Sequence, residues 1–285
     1  MSEFPHDDFA KDYLTELLST IGTAVPNKVI KSERREGDIW FERTAKLTIA
    51  AQRKKLGLMG QLLRRDSLIE VFRNPATAME IRACRGKLTD IEGDMARGAK
   101  RKDEILTEDV LPDLWFIMPT ASEEIRKGFG FRKSRIPGVY RLHKLNRTGL
   151  IVVHQLPVTE ETLWIRLLGR SGNQERAIQE LVTKPDRSTL YNSIEDILAS
   201  YRAKLEENRS LTPEEEDLIM NLSAAYLKKQ EEWKLEGKLE GKLEAAIAFL
   251  RAGATSEFIA QAMEMPIEAI EKLRDDQRSI GDHRI

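Results

Sequence analysis

Two apolar runs constrain this chain more than anything else in it. Leu111-Pro-Asp-Leu-Trp-Phe-Ile-Met-Pro119 is bounded by prolines, and Leu150-Ile-Val-Val-His-Gln-Leu156 follows downstream. A strand with one wet face alternates apolar and polar residues. These runs put apolar side chains on both faces, the mark of strands buried on both sides. Such burial requires helices above and below, so the runs imply an α/β fold with a central mixed sheet flanked by helices.

The remaining periodicities fit that frame. Residues 7 to 20 place Phe9, Tyr13, Leu14, Leu17 and Leu18 on one helical face, with acidic residues at the start. After Pro26, two extended pieces rich in Val, Ile, Trp and Phe read as a hairpin joined near Arg35 to Gly37. Residues 44 to 66 are basic around Leu56-Gly-Leu-Met-Gly60 and read as a helix or an ordered insertion. Ser67-Leu-Ile-Glu-Val-Phe-Arg73 is strand-like. Thr77 can cap a helix to about Ala96 with the stripe Met79, Ala83, Leu88 and Ile91. A helix from Ser122 follows, and helical periodicity returns over Glu160 to Leu181. One α/β domain is expected over residues 1–185.

Beyond Pro185 the chain reads as an extended all-α tail, divided into a helical extension over 186–244 and a small module over 245–285. Thr212-Pro213-Glu214-Glu215 combines a capping hydroxyl, proline at the first helical position and acids in the first turn, so a helix starts there. Lys234 to Glu244 reads KLEGKLEGKLE. At ~3.6 residues per turn its leucine stripe, Leu235, Leu239 and Leu243, drifts about 40° per repeat. Gly237 and Gly241 each cost about 1 kcal/mol against alanine, and like charges stack at i,i+4. A partner helix would offset both, which points to a homo-oligomer formed through the C-terminal helices; the alternative is a charged linker. The helices started by Thr255 and Pro266 look like a degenerate helix-turn-helix, but the module is acidic and fits a packing or oligomerisation unit better than a DNA reader.

Composition removes several function classes. The chain has 285 residues, 33% charged and 41% hydrophobic. No apolar run approaches the ~20 residues that span a bilayer, and the first residues are acidic where a signal peptide is basic, so a cytoplasmic protein with no membrane contact is expected. Cys84 is the only cysteine, which excludes an intramolecular disulfide or a cysteine-based zinc site within one chain. The four histidines lack metal-ligand spacing, and no Walker loop or G-x-S-x-G motif occurs.

Charge is polarised along the chain. From residue 201 onward 13 Lys and Arg face 18 Asp and Glu, a net of −5. Residues 126 to 147 hold eight basic residues, among them Arg132, Lys133 and Arg135, and no acid. Phe129, Phe131 and Tyr140 interleave rings that can stack on bases, a pattern suited to DNA. Its bland counterpart is a solvated basic loop and strand edge.

Two acids stand out in the first sheet. Asp38 begins an apolar strand and Glu70 sits inside another, so each places a carboxylate in or beside a core, which is expensive without a partner. A divalent cation between adjacent strands would resolve the cost for both, since Mg²⁺ takes one or two carboxylates plus waters and phosphate oxygens. Pairing with Arg35 or Arg73 would resolve it equally well.

These residues carry a resemblance. The order helix, hairpin with Glu33-Arg-Arg-Glu36-Gly-Asp38-Ile-Trp-Phe, strand with Ile69-Glu70-Val-Phe-Arg73, helix, strand with Leu114-Trp-Phe-Ile resembles the PD-(D/E)xK restriction-endonuclease-like core. More narrowly it is similar to cyanobacterial Rpn-type proteins, recombination-promoting nucleases with transposase-like relatives. The similarity continues through Phe72-Arg-Asn-Pro75, Val153-His-Gln-Leu-Pro157, Thr162-Leu-Trp-Ile-Arg-Leu-Leu-Gly169 and the Glu-Gly-repeat tail, and so covers most of the chain.

The resemblance implies Asp38 and Glu70 as metal ligands for Mg²⁺ or Mn²⁺, with Glu33 or Glu36 as an accessory acid. The motif's lysine falls at position 72, where this chain has Phe72. Arg73 is next in line but points to the other face unless a bulge re-aims it. Either Arg73 takes the role, or the charge has moved to Arg82 or Lys87 on the following helix, or the site is inactive. The implied function is a Mg²⁺-dependent DNA endonuclease tied to recombination, transposition or defence. Its rivals are an inactive nuclease-fold scaffold serving assembly, and a DNA binder that does not cleave.

Overall fold

The computed structural model describes residues 5–30, 35–44, 49–183, 188–207 and 211–282. In chain order the elements are α1 (Pro5–Ser19), β1 (Gly22–Ile30), β2 (Arg35–Arg43), α2 (Ile49–Lys55), α3 (Gly57–Leu62), β3 (Ser67–Val71), α4 (Ala78–Arg101), β4 (Asp113–Met118), α5 (Glu123–Gly128), β5 (Arg132–Lys133), β6 (Val139–Arg141) and β7 (Thr148–Val152). There follow α6 (Leu163–Arg166), α7 (Gly172–Thr183), α8 (Thr189–Glu206), α9 (Pro213–Arg251), α10 (Ser256–Met263) and α11 (Ile267–Asp282). The seven strands form one mixed sheet in the order β1-β2-β3-β4-β7-β6-β5. β3, β4 and β7 run parallel and the other neighbours antiparallel.

The two apolar runs supply the centre of this sheet. Every residue of β4 and of β7 is buried. Because side chains alternate across a strand, Ile39, Ile69, Trp115, Ile117 and Ile151 join a core with α1, α3 and α6 to α8. Leu68, Leu114, Phe116, Leu150 and Val152 join a second core with Ile81, Cys84 and Leu88 of α4 on the other face. A Cβ on Gly149 would lie 2.3 Å from the Trp115 ring, so the flat backbone there is what lets the indole fit.

Several boundaries differ from the sequence expectation. The α4 stripe is Ile81, Cys84 and Leu88, while Met79 is 71% exposed and Ala83 is also exposed. The Thr77 capping box, closed by Glu80, sets the helix phase and turns Met79 outward. Arg35 and Gly37 pair with Ile30 and Lys28, so they belong to β2 and the hairpin connection lies before them. Residues 160–181 are a 3₁₀ turn, the short α6 and then α7, rather than one helix.

The chain forms two compact units, residues 1–226 and 227–285. The first extends beyond residue 185 because Tyr191, Ile194, Leu198, Tyr201 and Leu205 of α8 and Leu222 of α9 enter the sheet's core. In the second unit α9 runs through the KLEG repeat without a break at Ala245 and stops before Gly253, whose φ is +86°. Ala246, Ile259 and Ile270 make a small core there. Among the described residues no helix is long and apolar enough to cross a membrane.

Candidate active site

The two acids leave the sheet at the same rung. The β2–β3 ladder ends at Ile39↔Ile69, and Asp38 and Glu70 are the next residue on each strand. Beyond that rung the strands part, and the Asp38 carboxylate takes the place of a β2 carbonyl, accepting the Val71 backbone N–H at 2.9 Å. The next amide, of Phe72, turns to the opposite neighbour and donates to Ile117 O at 2.8 Å. Gly37 keeps the approach open: a Cβ there would stand 2.4 Å from Leu68 Cδ1 and 3.5 Å from Glu70 Oε1.

The basic residue reaches Glu70 from α4. Lys87 Nζ donates to both carboxylate oxygens, at 2.9 and 3.0 Å. Lys87 sits one turn beyond Cys84, on the flank of the stripe that packs α4 onto the sheet, so the helix delivers it over the Glu70 face. Phe72, at the motif's lysine position, packs instead at 6.1 Å from the Phe116 ring as part of the core under α4. Among the alternatives the sequence leaves open, Lys87 is the one that meets Glu70. Arg82 lies over the Phe129 ring.

Burial governs the electrostatics. Glu70 is 3% exposed, and its pKa is pushed up to about 7, by desolvation first and by the Asp38 charge next, against the pull of Lys87. Asp38 is also raised, by burial first, with the Val71 N–H opposing and Asp7 adding to the rise. Burial lowers the Lys87 ammonium's pKa, but Glu70 and its neighbours outweigh that and hold it above the usual lysine range. Burial also raises the Cys84 thiol, helped by Glu70, which disfavours its thiolate. Asp7 and Lys11 of α1, paired at 2.7 Å, act on Asp38 from the opposite face. Neither was singled out by sequence, since their spacing there marked only an amphipathic helix start.

The other sequence candidates go elsewhere. Arg73 is ion-paired with Glu215 at the start of α9, so it does not converge on Glu70. Glu33 lies outside the described residues, and Glu36 sits opposite Val29 in the β1–β2 ladder. Arg132, Lys133 and Arg135 are exposed on or beside the edge strand β5. Much of the remaining basic stretch is structural: Arg126 lies over the Tyr140 ring, Arg141 over Trp115 and beside Asp113, and Arg147 pairs with Glu108. Phe131 and Tyr140 are buried, so the rings expected to stack on bases belong to the core.

Two oxygen-donor carboxylates at one rung, Glu70 buried and Asp38 half-buried, both disfavoured as anions by burial and both in the field of Lys87, fit a hard divalent cation that keeps most of its waters. No group of three or more His, Cys, Asp or Glu able to hold a metal occurs among the described residues, so any ion here rests on the acid pair. Comparison with protein-family models, with curated proteins and with solved structures finds no match to this chain.

Proposed function

We propose that this chain is a divalent-metal-dependent nuclease that hydrolyses DNA phosphodiester bonds at Asp38, Glu70 and Lys87. The observation that carries the reading is the pair of Lys87–Glu70 hydrogen bonds, which put a cation beside a strand-end carboxylate pair although position 72 is a phenylalanine. The order of α1 to β4, helix, hairpin, strand, helix and strand with α2 and α3 inserted before β3, supports the same restriction-endonuclease-like reading, as does the sequence likeness to recombination-promoting nucleases.

Asp38 and Glu70 would hold Mg²⁺ or Mn²⁺, which activates water and neutralises charge on the phosphate. Val71 N–H fixes the orientation of Asp38. Lys87, with three donors, holds both Glu70 oxygens, and its positive charge would balance charge growing on a phosphate oxygen. Arg132 and Lys133 stand on β5, four strands from β3. At ~4.8 Å per strand that is roughly 19 Å, a spacing that suits contact with a second stretch of the same duplex.

The rival reading, a scaffold or a non-cleaving DNA binder, draws on one observation: the Glu70–Lys87 pair is complete without an ion. Calorimetric titration with Mn²⁺ separates the two. The nuclease reading predicts one site that weakens at least tenfold in Asp38→Asn and tightens as pH rises through about 7, where Glu70 loses its proton. A scaffold takes up no ion at either pH.

A further inference from the structure

A cavity with charged side chains in its wall opens beside the acid pair. It encloses about 470 Å³ between the start of α1, the end of β3 and the start of α9, inside the range of roughly 300–1,000 Å³ typical of small-ligand sites. Val71 joins it to the site above, since this residue lines the cavity while its N–H holds Asp38. Two guanidinium groups, of Arg73 and Arg170, and the imidazole of His6 stand in the wall.

His6 is 6% exposed, and its Nε2 has no hydrogen-bond partner among the described residues. A buried ring nitrogen left unpaired at the wall of a cavity marks a place for a polar occupant. Burial first, and then the charges of Arg73 and Arg170 against the pull of Asp7, lower the His6 pKa to about 4, so the imidazole in the wall is neutral. The two acids in the wall are already engaged. Asp7 is held by Lys11 at 2.7 Å. Glu215 pairs with Arg73 through one oxygen and closes the helix cap through the other, accepting from Thr212 N at 2.8 Å and from Thr212 Oγ1 at 3.0 Å. Glu215 thereby aims Arg73, whose fork of five donors has N–H groups to spare. Arg170 is set by Asn74 Oδ1 and the Arg73 carbonyl.

We propose that His6, Arg73 and Arg170 form a phosphate subsite that binds the nucleic-acid phosphate next to the one attacked at Asp38, Glu70 and Lys87. The inference rests on the nuclease reading for the identity of the ligand. Arginine forks match phosphate geometry, and a neighbouring backbone phosphate arrives at this cavity if the reacting one sits at the strand ends. The phosphate belongs either to a strand end or to the interior of the strand.

Thermal unfolding of the full chain with inorganic phosphate, against chloride at equal ionic strength, tests the subsite. Wild type, Arg170→Gln and His6→Phe are compared, each with its own phosphate-free baseline, so a variant that is merely less stable remains readable. A saturable rise in Tm is expected for wild type, weakened about tenfold in apparent affinity by Arg170→Gln and several-fold by His6→Phe. Asp38→Asn should keep the phosphate response while losing the Mn²⁺ response, which separates this proposal from the nuclease reading. Anisotropy with single-stranded decamers then identifies the source. Preference for a 5′-phosphorylated over a 5′-hydroxyl decamer assigns the strand end; equal binding of both, weakened in Arg170→Gln, assigns an internal phosphodiester. No saturable phosphate effect, an equal one in Arg170→Gln, or decamer binding indifferent to that substitution overturns the proposal.

Discussion

At the scale of single residues, the proposed chemistry turns on a cation that reaches Glu70 from α4 and not from its own strand. The two acids stand out in the sequence because Asp38 and Glu70 interrupt apolar strands, a local signal, and the structure sets them beyond the same rung of the β2–β3 ladder. The sequence placed the cation ambiguously because strand alternation points to position 72, while the side chain that arrives, Lys87, belongs to another element and is one of three basic candidates nearby. Only the phase of α4, fixed by the Thr77–Glu80 cap, selects it. Two results should follow. Glu70 has a folded pKa near 7 against an ordinary value of 4.5, so the folded state holds the proton that the unfolded state releases between those values. Stability from this residue is therefore present below pH 4.5 and is lost as pH rises toward 7, on the order of 3 kcal/mol in all. Glu70→Gln should flatten that slope in denaturant titrations at pH 5 and pH 7.5; an unchanged slope contradicts the assignment. Lys87→Met leaves the buried carboxylate without its cation. Its destabilisation should reach about 3 kcal/mol at pH 8, where Glu70 is ionised, and be clearly smaller at pH 5.5, where the carboxyl is neutral. Equal losses at both pH values would show that the pair is not coupled as described.

At the scale of elements, the strands were legible and the helix limits were not. Continuous apolar runs admit one solution, a strand covered on both faces, and β4 and β7 adopt it. The boundaries of α6 to α9 depend on tertiary contacts: α8 reads as part of a tail until its Tyr191, Leu198 and Tyr201 are seen to complete the core over α1. Asp7 and Lys11 were missed for the same reason, since only the packing of α1 brings them to Asp38. One glycine shows how tightly the central layer is built. Gly149→Ala sets a methyl 2.3 Å from the ring of Trp115, itself 1% exposed, so overpacking should cost roughly 1–3 kcal/mol. A melting temperature within a degree of wild type would mean that the indole has room to move.

At the scale of the whole molecule, the C-terminal unit offers an apolar stripe that is exposed among the described residues, Leu235 being 68% and Leu239 53% exposed. At about 100° per residue, Gly237 lies nearly opposite Leu235, so a single partner helix covers the leucines and leaves the glycines open. This revises the expectation that one packing event compensates both. If the stripe is an interface between copies, light scattering should report a dimer for wild type and a monomer for Leu235→Ser/Leu239→Ser at tens of micromolar, with helicity preserved. A monomeric wild type would leave the stripe without that role. The proposed nuclease activity of the α/β unit is tested most directly by nicking of supercoiled plasmid with Mg²⁺ or Mn²⁺, comparing wild type with folded Asp38→Asn and Lys87→Met. The account predicts metal-dependent cleavage that a chelator abolishes and that falls at least about a hundredfold in both variants; no cleavage with either metal, or cleavage that survives Asp38→Asn, would contradict it.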